Sequence, residues 1–163
     1  MKSKGERVAG SVVEMDGAYA ELGPVTVNVD EFRHLKDHVD VFCKGENAVE
    51  LLFVITGSTR IVENRILGEK ILVMPAIYSD KQHTSFHSVL IQKLSRAAGV
   101  LAVGHVHTTS SVEPSDEDVA TSVLIDRKIG RSVFHIIMNQ EAEYEIYTNG
   151  EHLQCLHRPV GEI

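Results

Sequence analysis

Apolar positions change their period several times along the chain, and each change marks an element. Over residues 6–29 the β-branched Val8, Val12, Val13, Val25, Val27 and Val29 read as extended structure, punctuated by turns at Gly17 and Gly23-Pro24. Asp30 has the character of an N-cap, and Phe32, Leu35, Val39 and Phe42 follow at helical spacing, which predicts an amphipathic helix over about residues 31–43. Val49-Glu50-Leu51-Leu52-Phe53-Val54-Ile55 is a continuous apolar run interrupted once and stopped by Gly57, the pattern of a buried strand. Further strands are expected near 59–66 and 70–76, the second closed by Pro75, and residues 77–84 read as irregular. A helix carrying Val89, Leu90, Leu94, Ala97 and Ala98 on its inner side is expected to stop at Gly99.

The stretch Val100–Gly104 is a short strand ending at His105, and Ser115 opens a helix to about Lys128, with Gly130 just beyond it. Strands at 132–138 and 143–148 follow, and Asn149-Gly150 is a hairpin signal into a last strand near 151–157. This order predicts a mixed α/β or α+β domain: one curved, mostly antiparallel sheet flanked by helices.

Composition narrows the class. At 163 residues, with 43% hydrophobic and 24% charged positions, the chain has the profile of a soluble globular domain. No apolar run reaches the roughly 18 residues of a membrane helix, and Met1-Lys2-Ser3-Lys4 leads into no signal-peptide core, so the expected compartment is the cytoplasm, without a membrane partner. A net charge of −7 argues against a nucleic-acid partner, which calls for a basic face. Cys43 and Cys155 have neither metal-site spacing nor the density of a disulfide framework, and sequence leaves their pairing open.

The segment from Gly104 to Asp118 carries the chemistry. His105 and His107, two apart on an extended chain, project to the same side. Two imidazoles and a carboxylate make the ligand set of a catalytic zinc, and Asp118 can supply the carboxylate if the loop 108–114 folds the next helix back over the strand end. A second reading competes: Ser115-x-x-Asp118 before a helix is also an ordinary capping box, and the carboxylate cannot give the same lone pairs fully to both tasks. Spacing alone leaves both open.

His105-x-His107, seven intervening residues, Ser115, two residues and Asp118 match the signature of the JAMM (MPN+) metalloproteases, and Glu50 through Gly57 resembles the upstream glutamate-and-strand element of that family. The resemblance covers roughly residues 25–158. It implies a small single-domain member with a cytidine-deaminase-like MPN core over 25–163, preceded by an extended segment over 1–24. It also implies Zn2+ on His105, His107 and Asp118, Glu50 as general acid/base, and Ser115 as a donor to the oxyanion. The implied activity is hydrolysis of the bond after the C-terminus of a ubiquitin-like β-grasp protein. The alternatives are a zinc hydrolase of a small amide or thio substrate and a non-catalytic interaction scaffold; a homodimer stays open. Two positions depart from the pattern: Val106 stands where a small hydroxyl residue is usual, and Thr108 where proline is usual.

The other histidines carry less. His34/His38 and His83/His87 are i, i+4 pairs without the glutamate of a helical zinc motif and read as surface residues. His135 sits among apolar neighbours and reads as a satisfied sheet histidine, while His152 and His157 read as hairpin surface.

Overall fold

Runs that are apolar at nearly every position have to be covered on both faces, and the strands built from them occupy the centre of the larger sheet. The computed structural model describes residues 7–15, 17–46, 48–58, 61–62, 65–75 and 99–149. In chain order these form β1 (Arg7–Ser11), β2 (Val13–Met15), β3 (Tyr19–Leu22), β4 (Val25–Asn28), α1 (Val29–Phe42), β5 (Leu51–Thr56), β6 (Ile61–Val62), β7 (Arg65–Gly68) and β8 (Lys70–Pro75). β9 (Val100–Val106), α2 (Asp116–Ile129), β10 (Phe134–Met138) and β11 (Glu143–Tyr147) follow. The expected helix ending near Gly99 and the strand near 151–157 lie outside the described residues, as do His83, His87, His152, His157 and Cys155.

The fold is mixed α/β, with two sheets rather than the one expected. The larger runs β1-β11-β10-β9-β5-β8 and the smaller β2-β3-β4-β7-β6. Each contains a parallel pair, β9 with β10 and β4 with β7, among antiparallel neighbours. Residues 7–22 belong to both sheets: β1 pairs with β11, while β3 pairs with β4 and contributes Ala20 and Leu22 to the core. Antiparallel pairs need only tight turns, but the parallel pair β9–β10 needs a crossover, and α2 is that crossover.

α1 buries Val29, Phe32, Leu35 and Val39 against the sheets, each such side chain contributing about 1.5–3 kcal/mol. Its N-cap is Asn28, whose side chain accepts from the Asp30 amide, and not Asp30 itself: β4 runs straight into the helix, so its last residue does the capping. α2 begins at the expected Ser115 cap and ends at Gly130, whose φ of 89° is the left-handed C-terminal stop. No helix among the described residues is long and apolar enough to cross a membrane.

The registers of β5, β9 and β10 position the strand end that matters. Phe53 is paired with Gly104, and a Cβ added at Gly104 would meet the Phe53 ring at 2.2–2.7 Å. That close approach lets Phe53 cover the strand immediately before His105. Gly104→Ala overpacks this contact and is expected to destabilise the fold by about 1–3 kcal/mol, read as a lower urea midpoint at unchanged slope.

Candidate metal centre

Along β9 every side chain is buried except that of His105, which is part-exposed. His107 follows the last residue of β9, and its amide still donates to Met138 O at 2.8 Å, so the alternation of the strand carries through to it. The two imidazoles therefore share a face, with Nε2 atoms 3.0 Å apart and ring centroids 4.8 Å apart. Val106, between them, points the other way and is fully buried in the core. It thus occupies a packing position on the face opposite the two imidazoles.

Asp118 is brought to the same point by the start of α2. The Ser115 hydroxyl accepts from the Asp118 amide at 3.0 Å, and Asp118 Oδ2 accepts from the Ser115 amide at 2.9 Å, a complete capping box. Asp118 Oδ1 lies 3.4 Å from His105 Nε2, and Oδ2 lies 3.5 Å from His107 Nε2. Cap and imidazoles thus share the carboxylate: Oδ2 accepts from the Ser115 amide while facing His107, and Oδ1, not used by the cap, faces His105. Because the Ser115 oxygen is used as an acceptor, its hydroxyl proton remains to be donated elsewhere.

The donor set fits a metal ion. A tetrahedral ion with N and O ligands at about 2.0–2.2 Å holds those atoms about 3.3 Å from one another. The two imidazole nitrogens are 3.0 Å apart, His105 Nε2 is 3.4 Å from Asp118 Oδ1 and His107 Nε2 is 3.5 Å from Asp118 Oδ2; taking one ligand atom from each residue, all three lie within 4.8 Å of one another. His107 Nδ1 donates to Ser111 O at 3.0 Å, which assigns the proton to that nitrogen and leaves the Nε2 lone pair facing the centre. Among the described residues, His105, His107 and Asp118 are the one such group of potential ligands. Their side chains are 14–21% exposed, so the cluster opens on one side to water.

Electron-pair donors this close repel one another unless a cation lies among them, and the titration behaviour reflects that. The Asp118 hydrogen bond raises the His107 pKa, opposed by burial and assisted by the Ser111 carbonyl and by the charges of Asp118 and Glu50. Burial disfavours the Asp118 carboxylate, yet the hydrogen bonds from His105 and His107 hold its pKa far below the usual carboxylate range.

Glu50 is exposed and immediately precedes β5. Leu51 is paired with Val106, so one further step along this antiparallel pair leads from Glu50 towards His107. Its charge acts on His107 and, after burial, is the second cause that pushes the Cys43 thiol up to about 11. Glu50, His105, His107, Ser115 and Asp118 therefore gather at one end of the central strands. Cys43 is a free, buried thiol.

No protein-family model and no curated protein matches this chain. The site must be read from its own geometry.

The remaining histidines stay outside it. His34 is exposed and His38 half-buried on α1, with His38 Nδ1 2.9 Å from the His34 carbonyl. His135 is buried, 2.9 Å from Asp126 Oδ1 and stacked on Tyr147. Two groups that pattern reading passed over shape the site. One is the network behind α2: Asp126 also accepts from Asn149 Nδ2 at 2.8 Å and from the Val133 amide at 3.2 Å, and Asn149 donates to Ser122 Oγ at 3.1 Å. The other is the Asn139-Gln140 turn, whose side-chain amides reach the loop after His107. The only sequence signal for the latter was a pair of amides between two strands, which reads as an ordinary turn.

A divalent ion titrated in as Zn2+ or Co2+ has to displace the His107 proton. Its apparent affinity is therefore expected to fall by about tenfold per unit as pH drops below the His107 pKa, itself raised above 6.5. Calorimetry in buffers of different protonation enthalpy should register the released proton at pH values below that pKa. Asp118→Asn retains an acceptor for the Ser115 amide but loses the anionic ligand; it should keep its helix content by circular dichroism and lose the metal-dependent rise in Tm.

Proposed function

We propose that this chain is a zinc metallopeptidase of the JAMM type, with an MPN-like core, that hydrolyses the amide bond joining the C-terminus of a ubiquitin-like protein to an amine. The observation that carries the reading is the convergence of His105, His107 and Asp118, whose potential ligand atoms lie within 4.8 Å of one another, with Glu50 and Ser115 at the same strand end. Two nitrogens and one carboxylate oxygen with an open side suit zinc and leave a coordination position for substrate chemistry. Zinc, when bound, supplies a Lewis acid that brings the pKa of a bound water to about 7.

The residues of the chain supply the rest. Glu50, exposed and outside the ligand set, is free to take a proton from the attacking water and deliver it to the leaving amine. The Ser115 hydroxyl, whose oxygen already accepts from the Asp118 amide, has its proton available for the oxyanion developing on the substrate carbonyl. The Ser111 carbonyl holds the His107 tautomer throughout. An extended substrate tail suits such a strand-end site, because main-chain pairing can hold it while the reacting carbonyl reaches the centre. A scaffold that only binds partners has no need of all five groups.

The decisive experiment pairs metal analysis with cleavage of a ubiquitin-like protein linked through its C-terminus to a lysine side chain. The expected result is one zinc per chain and cleavage that a chelator abolishes and added zinc restores. Glu50→Gln should keep the zinc while turnover falls by about 10²–10⁴-fold. Absence of stoichiometric zinc, or undiminished turnover in this variant, overturns the reading.

A further inference from the structure

Resting on that reading, we infer that Gln140 is a positioning residue: its single side-chain amide clamps the segment leading to Glu50 onto the loop that follows the ligand His107. Gln140 Nε2 donates to Cys43 O at 2.6 Å and to Thr108 O at 3.1 Å, so both of its protons are used. These two carbonyls belong to chain segments far apart in sequence, each ending in a functional group.

On one side, Cys43 caps the C-terminus of α1, and the next closure of that segment is the Val49 amide on Phe42 O at 2.8 Å, directly before Glu50. On the other side, Thr108 follows His107. Cys43 and His107 both lie within electrostatic reach of Glu50, so the clamp bridges the two sides of the acid/base–metal gap.

The turn bearing Gln140 is built to hold it still. Asn139, 1% exposed, donates from Nδ2 to Ser110 O at 2.9 Å and to Glu143 Oε1 at 2.8 Å, while its Oδ1 accepts from the Glu141 and Glu143 amides, each at 3.0 Å. Ala142 in this turn adopts a φ of 61°, in the left-handed region that a non-glycine residue enters only at a cost. The His107 loop is thereby fixed at Thr108 and Ser110 by one turn, and among the described residues the hydrogen bond from that turn to the Glu50 side comes from Gln140. The ligands do not depend on the clamp, since β9 and the α2 cap hold them.

The test uses the whole chain, with Gln140→Met and Gln140→Leu removing the donors at similar size, and Glu141→Ala as a control on the same turn. Native-state hydrogen exchange without metal should show the Val49 amide exchanging several-fold faster in both Gln140 variants, with the β10–β11 amides unchanged. Zinc should remain at one per chain, and kcat for the lysine-linked conjugate should fall by about 10–100-fold with KM nearly constant, as expected for a misplaced acid/base group. The control should match the wild type in all three. Wild-type exchange at Val49, undiminished kcat, or loss of zinc from the Gln140 variants overturns the clamp. Should the wild type itself bind no zinc or cleave nothing, the metallopeptidase reading fails, while exchange at Val49 still decides whether Gln140 restrains the segment.

Discussion

Asp118 has to be in two relationships at once, and the arrangement of the site follows from how it manages this. As the third residue of α2 it accepts from the Ser115 amide, which ties it to the helix start. As a carboxylate facing two imidazoles it completes a cation-binding set. The cap fixes the position of the oxygen that the centre uses, so the ligand is preorganised by a bond that the helix needs in any case. Anionic side chains at a helix N-terminus are also favoured by the peptide dipoles there, and Asp116 and Glu117 share that turn.

For a capped helix start to serve as a ligand, the helix must be held at the correct height over the strand end. α2 buries little apolar surface, with Ser122 and Ile125 its fully buried residues. Ile125 and Ile129 pack with Val54, Val100, Val103 and Val133, and the rest of its hold on the sheet is polar. Asp118, Ser122 and Asp126 stand at i, i+4 and i+8 on one face, and Asp126 gathers bonds from His135, Asn149 and Val133. A half-buried carboxylate bonded in this way to three partners favours one placement of the helix. The parallel pairing of β9 with β10 sets the other end of the crossover, so strand end and helix start are locked to each other from both directions.

Much of this was legible before any coordinates. The alternation of His105 and His107, the Ser115 cap and the Gly130 stop are consequences of local geometry, and local geometry is what residue spacing encodes. The division of the chain into two sheets was not legible, because β4–β7 pairing joins segments separated by α1 and β5, and pairing partners at that distance leave no trace in periodicity. Nor was the dual role of Asp118, since the same spacing serves a cap or a ligand and only the angles of the two oxygens distinguish them. The network around Asp126 and the amides of Asn139 and Gln140 escaped for a related reason: each residue is unremarkable by type, and its meaning lies in partners 2–97 positions away.

The two departures from the JAMM pattern then have a physical reading. Val106 exchanges a small hydroxyl for an apolar side chain on the face of β9 that points into the core, where burial rewards the exchange. Thr108 lacks the ring that stiffens the chain after the second histidine in the pattern, and a free Thr-Thr-Ser-Ser loop would cost conformational entropy to hold in one geometry. Here the restraint comes from outside the loop: Gln140 on the Thr108 carbonyl and Asn139 on the Ser110 carbonyl. A ring restrains only its own backbone angle, whereas an amide with two donors can restrain two segments together. Replacing covalent stiffness by a hydrogen-bonded clamp thus couples the metal loop to the segment bearing Glu50, which a proline at the same position cannot do.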